Sequence, residues 1–434
     1  MPLNILVVGA GCAGPAFSQL LTKADSKHKI TVIERFPALR TGGQQLDLKA
    51  EGIPIAKGMG ILDALKAACV HESGMKLVDK NGTSLMQFGI NDPSKGQGSN
   101  LTNEYEIMRG DMVKIFYDAS IRERQQADSA GSSPGSLEYK FGSTITHLEQ
   151  SGKGTTVTYS DGQKTHYDLV VAADGQNSRT RRMGFGEDVS AKGFRSIGVH
   201  AAFYEIPRID FNDNDARIFF APGNRMIMTR SGDRSKTQVY LFLMKNKERH
   251  ERMKAVHKQP LAQQKEVWTE IYKNVGWESE KFLEGMKTTD DFYAHELGQI
   301  HMPHLHAGRV VLLGDSGYCP TAFTGMGTTL SLIGSYILAG ELAKHGDDVD
   351  AALEAYSELM KPPMKMYRNL PDGKETSFYP SSELGITVTN NILWLLSCLK
   401  FDKALHWVSG KMPEKKHGWE LPVYPNLSLG EEKN

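Results

Sequence analysis

The stretch VVGAGCAGPAF, residues 7–17, sets three glycines between two differently patterned flanks. Residues 3–8, LNILVV, form the short apolar run of a fully buried parallel strand, whereas PAFSQLLTKAD, from Pro15, spaces its apolar residues as a helix does. Strand, glycine turn and helix follow in order. Gly9 then permits the tight turn, Gly11 lets backbone approach a pyrophosphate, and Gly14 lets the helix pack closely on the strand. KITVIERF, residues 29–36, reads as a second strand. Its Glu34 stands where an acid accepts hydrogen bonds from an adenosine ribose. Three glycines alone would also suit an ordinary turn; the four elements together point to a dinucleotide. A carboxylate at Glu34 disfavours a 2′-phosphate, so the loop suits FAD or NAD better than NADP.

Composition narrows the remaining choices. The chain has 434 residues, 40% hydrophobic and 24% charged, enough for a sizeable core and two or three domains. Lysine plus arginine equals aspartate plus glutamate at 51 each, so bulk charge draws the chain to neither nucleic acid nor an anionic membrane. A small molecule is the expected partner. Cys12, Cys69, Cys319 and Cys398 form no Cys-x-x-Cys pair, which argues against zinc and against a disulfide framework. The N-terminus lacks a basic run, and the apolar stretch ILWLLSCL at 392–399 is too short to span a bilayer. The expectation is a cytoplasmic protein without stable membrane insertion, with 392–399 as a buried or interdomain helix face and a membrane-surface helix as the alternative.

Two further landmarks choose between the dinucleotides. DLVVAADGQNSRTRR at 168–182 and GRVVLLGDSGYCPTA at 308–322 each read as a buried strand ending in an acid, Asp174 and Asp315. Acids at the carboxyl ends of parallel strands lie where open α/β sheets bind ligands. GMGTTLSLIGSYILAGELAKH follows, from Gly325, as a helix rich in small residues. Its start at Gly325, Gly327 and Thr328 offers free N–H groups and a positive dipole end for a phosphate or an anionic flavin ring.

These motifs together, Gly9-x-Gly11-x-x-Gly14 with Glu34, Asp174-Gly175, and Gly314-Asp315 followed by TGMGTTL, resemble the class A flavoprotein monooxygenases, the single-component FAD-dependent aromatic hydroxylases. RTGGQQLDL, PGNRMIM and the C-terminal extension are similar to the tetracycline-inactivating and the polyketide- or alkaloid-hydroxylating members. The resemblance implies an α/β fold: a Rossmann-like FAD-binding domain like that of p-hydroxybenzoate hydroxylase, an antiparallel-sheet substrate domain and a C-terminal helical extension. It implies that Glu34 and Arg35 hold the adenosine ribose and Arg109 the FAD phosphates or ribityl chain. Asp315 would hold the ribityl hydroxyls, and Asp174 would act near the pyrophosphate. The chain departs from the group's Gly-Asp-Ala-Ala-His and Pro-Pro at Gly314-Asp315-Ser316-Gly317-Tyr318 and the single Pro320, and it has Thr328 and Thr329 where many members carry Asn.

The landmarks imply a discontinuous cofactor domain over 1–72, 102–182 and 298–340. A substrate domain would take 73–101 and 183–297, where VHAAFYEI, ARIFF, RMIMTR and TQVYLFLM read as antiparallel strands, and 341–434 would form the C-terminal helical region. QQADSAGSSPGS at 125–136 reads as a mobile loop. Prolines 362, 363 and 371 should break a helix, Trp394 should pack onto the body, and the tail is a candidate cap over the substrate mouth. His200 and Arg225 are candidate substrate contacts, Arg225 for an anionic or enolate oxygen; a surface arginine and a satisfied sheet histidine are the alternative. Tyr204 and Met226 read as core or pocket wall. His301, His304 and His306 lack nearby acidic or thiol ligands, so no metal is expected.

The expected activity is a hydroxylation driven by NADPH or NADH and O2. The reductant would bind transiently, and the resemblance implies a C4a-hydroperoxyflavin that an electron-rich aromatic, polyketide-like or alkaloid substrate attacks. Baeyer–Villiger insertion, epoxidation and tetracycline inactivation are alternatives on the same fold. A flavin-free NAD-dependent dehydrogenase would leave the Asp174 and Asp315 segments without a purpose, and a non-catalytic binding module would lack redox turnover.

Overall fold

The apolar runs that frame the landmarks lie side by side. In the computed structural model, which describes all residues except 41, 89–104, 132–133, 245–246, 370–379, 399–418 and 430–434, Asn4–Val8 pairs in parallel with Lys29–Glu34 on one side and Leu169–Ala172 on the other. Val310–Leu312 extends the parallel order beyond Leu169–Ala172, and Ser136–Phe141 extends it beyond Lys29–Glu34. The antiparallel His306–Ala307 closes the six-stranded sheet at one edge. Residues 169–172 are buried on both faces, the condition under which a parallel strand reads as unbroken Val, Leu and Ala.

Helix Ala13–Ala24 packs between Arg109–Ser129 and Gly327–His345. The last of these is buried all the way from Thr328 to Leu342, which explains a sequence without a polar face. Its small residues make room for neighbours: a Cβ on Gly340 would sit 2.3 Å from the Tyr424 ring. Residues 419–429 cross this helix as a strap, held where the Tyr424 hydroxyl donates to Glu341 at 2.7 Å and the Tyr336 hydroxyl to the Pro422 carbonyl at 2.9 Å.

The second large sheet has seven strands in the order Phe292–Ile300, Phe194–Pro207, Lys236–Met244, Arg225–Arg230, Ala216–Ala221, Met75–Val78 and Ser84–Phe88. All neighbours are antiparallel except Met75–Val78 with Ala216–Ala221. One face carries Ala202, Tyr204, Ile227, Leu241 and Leu243 against helices spanning 247–288, with Trp268 and Phe282 fully buried between them. The other face carries Val199, Ala201, Phe203, Met226, Tyr240 and Phe242. A short ribbon of Gln45–Asp47 and Glu106–Met108 sits against that second face, the Tyr240 hydroxyl accepting from Gln45 N at 3.0 Å.

Three expectations about elements are corrected. The helix Arg109–Ser129 runs through the first half of the 125–136 segment, whose Gln and Ala are compatible with helix; 132–133 lie outside the described residues. Helix Val349–Tyr367 continues through Pro362 and Pro363, because its buried face of Tyr356, Met360, Pro363 and Met364 is held by the neighbouring helix; Pro371 lies outside the described residues. Helix Glu383–Cys398 packs on Ser84–Phe88 and Ala216–Ala221, yet Ile392, Trp394 and Leu395 are each 53% exposed rather than buried. No helix among the described residues is long and apolar enough to cross a membrane.

Candidate active site

The strand order brings four carboxyl ends into one line: Leu312, Ala172, Val8 and Glu34. Each landmark found in the sequence leaves the sheet there. Gly9 has φ 112°, and a Cβ on it would meet the Ala173 carbonyl oxygen at 2.5 Å, so the turn after Val8 is closed to any side chain. A Cβ on Gly14 would lie 2.1 Å from the Gly9 carbonyl, which shows how tightly the helix sits on the turn. Gly11 differs: its nearest neighbour within 4 Å is Arg109 Nη2 at 3.7 Å, leaving backbone approachable from the groove. Glu34 closes the loop's far side, its Oε2 accepting from Ala10 N and its Oε1 from Phe36 N, both at 3.1 Å.

Cations gather beside this turn. Arg109 lies against Gly11 and Gly43, Arg40 stands over the Phe36 and Tyr293 rings, and Arg35 stands over Phe36 at 4.8 Å. Arg40 pairs with Asp291 at 3.9 Å, and the charge of Arg109 acts on the Asp315 carboxyl. Arg40 is held below the usual guanidinium range by burial and by Arg109. A groove with an open glycine, a helix start and clustered guanidiniums fits a diphosphate.

Asp315 and the start of helix Gly327–His345 face each other: a Cβ on Gly327 would be 3.8 Å from Asp315 Oδ1. Burial raises the Asp315 carboxyl and pushes the Cys12 thiol up to about 11. Thr328 is buried, and Gly325 takes a left-handed conformation that puts it against Asp47 and Lys49. Thr321, three residues after the short turn of Asp315–Tyr318, has φ 76° and a buried hydroxyl without a partner among the described residues. Such a β-branched residue at positive φ is strained. The Asp174 carboxylate accepts from Ser178 Oγ, from Arg179 N at 2.9 Å, and from Thr180 N and Oγ1 at 3.0 Å. It thereby shapes the loop beside Gly9.

Over the groove lies the second face of the seven-stranded sheet. Phe203 stacks on Tyr293 at 5.0 Å and on His295 at 5.8 Å, while Phe242 meets Phe323 from the segment before helix Gly327–His345 at 5.8 Å. The Tyr293 hydroxyl donates to Gln44. The two candidate substrate contacts lie on the opposite face. His200 shares its side with Ala202 and Tyr204, and its ring nitrogens meet His257 at 2.9 Å and His250 at 2.8 Å in the helical layer. Arg225 donates to the Pro222 and Ile271 carbonyls, both at 2.7 Å, the second at the end of helix Leu261–Tyr272. The cause is the two-residue period of a strand, which sends neighbours to opposite faces. Met226, beside Arg225, does face the groove, and Tyr204 is core. The sequence reading passed over Tyr293 and His295, although the alternation in FYAHELGQI at 292–300 carried the signal.

Comparison with known proteins agrees with this geometry. Residues 3–366 match the family described as FAD binding domain. The chain is 38% identical to the FAD-dependent monooxygenase asL6 of Sarocladium schorii over 99% of its own length and all of that protein's. It is 32% identical to the flavin-dependent monooxygenase eupH of a Phoma species, covering 90% of this chain and 91% of the other. The structure of tetracycline destructase Tet(55) superposes with a TM-score of 0.71 at 28% identity, over 98% of this chain and 99% of that one. The chain belongs to the FAD binding domain family and is an FAD-dependent monooxygenase.

Proposed function

We propose that the protein hydroxylates a planar aromatic or polyketide-like small molecule, or a comparable alkaloid, at the expense of O2 and NADPH or NADH. The observation that supports this most directly is the wall of Phe203, Tyr293, His295, Phe242 and Phe323 facing the glycine-loop groove. Stacked and tilted rings of this kind favour a flat partner by about 0.5–1.5 kcal/mol per contact beyond burial.

FAD, reduced by the nicotinamide, supplies the oxygen-activating chemistry. The chain's own residues bind, orient and shield. In this reading Gly9, Gly11 and Gly14 admit the diphosphate, Glu34 and Arg35 take the adenosine ribose, and Arg109 neutralises phosphate charge. Asp315, with the N–H groups from Gly325 to Thr328, meets the ribityl chain and flavin ring. The parts 1–72, 102–182 and 298–340 would act as the cofactor unit, and 73–101 with 183–297 as the substrate unit, while the C-terminal region straps the former. The cytoplasm is the compartment this reading assigns.

A second reading is tetracycline inactivation. The whole-chain superposition on Tet(51) and Tet(55), each at TM-score 0.71, favours keeping it. Both readings meet one experiment: record the visible spectrum of the purified protein, then follow anaerobic bleaching by NADPH and by NADH with a panel of phenols, polyketides and tetracycline. Faster bleaching with one class, followed by incorporation of one oxygen atom from 18O2 into it, is the expected result. A flavin reduced at the same rate with every compound, and no labelled product, would sink the substrate assignment.

A further inference from the structure

Among the described residues, His295 takes no part in the fold's own hydrogen bonding. Other buried or half-buried imidazoles are engaged: His28 Nδ1 accepts from Leu3 N at 3.0 Å, His200 uses both nitrogens, His301 pairs with Gln299 and His306 with Glu354. His295 is half-buried, and among the described residues neither of its nitrogens has such a partner. Neither nitrogen is among the buried polar atoms without a partner, so both stay accessible, and an idle imidazole edge set among stacked rings is free to meet a ligand.

Its position along the strand fixes which part of the groove it faces. Residues 293, 295, 297 and 299 share one side of Phe292–Ile300. Tyr293, at one end, carries Arg40 over its ring and donates to Gln44; Gln299, at the other, donates to the Pro320 carbonyl at 3.2 Å. His295 lies between them, beyond the arginines and before the Pro320–Phe323 segment. Opposite it in register is the small Ala201. The ring is stacked within 10° of Tyr293 and 28° of Phe203, which fixes its plane. Burial and the nearby His257 push its pKa down to about 4, so at neutral pH it offers one N–H and one free lone pair.

We propose that His295 accepts a hydrogen bond from an acidic hydroxyl of the substrate, and so selects phenols and enolised rings over their ethers. This rests on the substrate reading above. An imidazole lone pair drawing on that hydroxyl leaves more electron density on the ring carbons beside it, where oxygen would be added. Phe203 and Tyr293 serve to hold the imidazole edge toward the substrate.

The test uses the FAD-loaded protein and matched pairs of probes, each a dihydroxyacetophenone and its methyl ether, titrated while the flavin spectrum is followed. Wild type is expected to bind the phenol about tenfold tighter than the ether, the worth of one good hydrogen bond. His295→Phe should bring that ratio to about one with unchanged FAD affinity, and His295→Gln, which keeps an acceptor, should restore part of it. A ratio unaltered in His295→Phe would overturn the assignment, as would a variant that loses FAD instead, since His295 would then be a cofactor contact. If no phenol perturbs the wild-type spectrum, the substrate reading itself falls, an outcome the variants do not produce.

Discussion

At the scale of residues, the glycines of the first loop are not interchangeable. Gly9 and Gly14 are excluded from change by backbone contacts at 2.5 and 2.1 Å, whereas Gly11 faces the groove. Gly14→Ala must therefore move the helix off the turn, and because α-helical φ suits alanine, the cost is purely that displacement. FAD retention is expected to fall more than tenfold in Gly14→Ala, read from the flavin-to-protein absorbance ratio after purification. A variant as yellow as the wild type would show that the helix start does not set the cofactor's seat. His295 and His200 make the complementary point. They differ in the face on which they lie, and His200, bound to His250 and His257, fits the alternative of a satisfied sheet histidine.

At the scale of elements, the helical layer over the seven-stranded sheet depends on neutral imidazoles. Burial lowers His200 to about 3 and His257 to about 4, well under the 6.5 of an exposed histidine. The folded protein thus binds fewer protons than the unfolded chain between these values. Stability is full above pH 6.5 and is lost as pH falls toward about 4. Thermal melts from pH 8 to pH 4 should be flat in the upper part of this range and drop steeply in the lower. His200→Leu, which removes one of the titrating groups, should give a shallower acid slope even if its melting temperature at pH 8 is lower. An unchanged slope would mean that the acid sensitivity lies in other groups, such as His28, also pushed down to about 4. The same element level explains why Pro362 and Pro363 fail to end their helix: the apolar face of Val349–Tyr367 is buried on both sides of them.

At the scale of the whole molecule, the groove is assembled from segments far apart in sequence, Gly9, Arg40, Arg109, Tyr293 and Asp315 among them. A ligand that bridges them and binds only the folded state stabilises all of it; at a hundred times its dissociation constant the gain is about 2.7 kcal/mol. Stripped protein should melt several degrees below the FAD-loaded form, and adding FAD should raise the midpoint in a saturable way. A midpoint indifferent to FAD would place the groove outside the cofactor's contacts. The sequence by itself determined the cofactor side, because a dinucleotide loop is local: strand, glycines, helix and Glu34 are contiguous and constrained by backbone geometry that only certain residues allow. The acids at Asp174 and Asp315 were legible as strand ends for the same reason, though not the direction of the Asp174 carboxylate, which four nearby donors capture. Only the tertiary structure decided the substrate side. Which face of Phe194–Pro207 and Phe292–Ile300 looks at the groove depends on register with partner strands and on the helices behind them. A shift by one residue exchanges His200 for Ala201, or His295 for Glu296, with no trace in the local sequence.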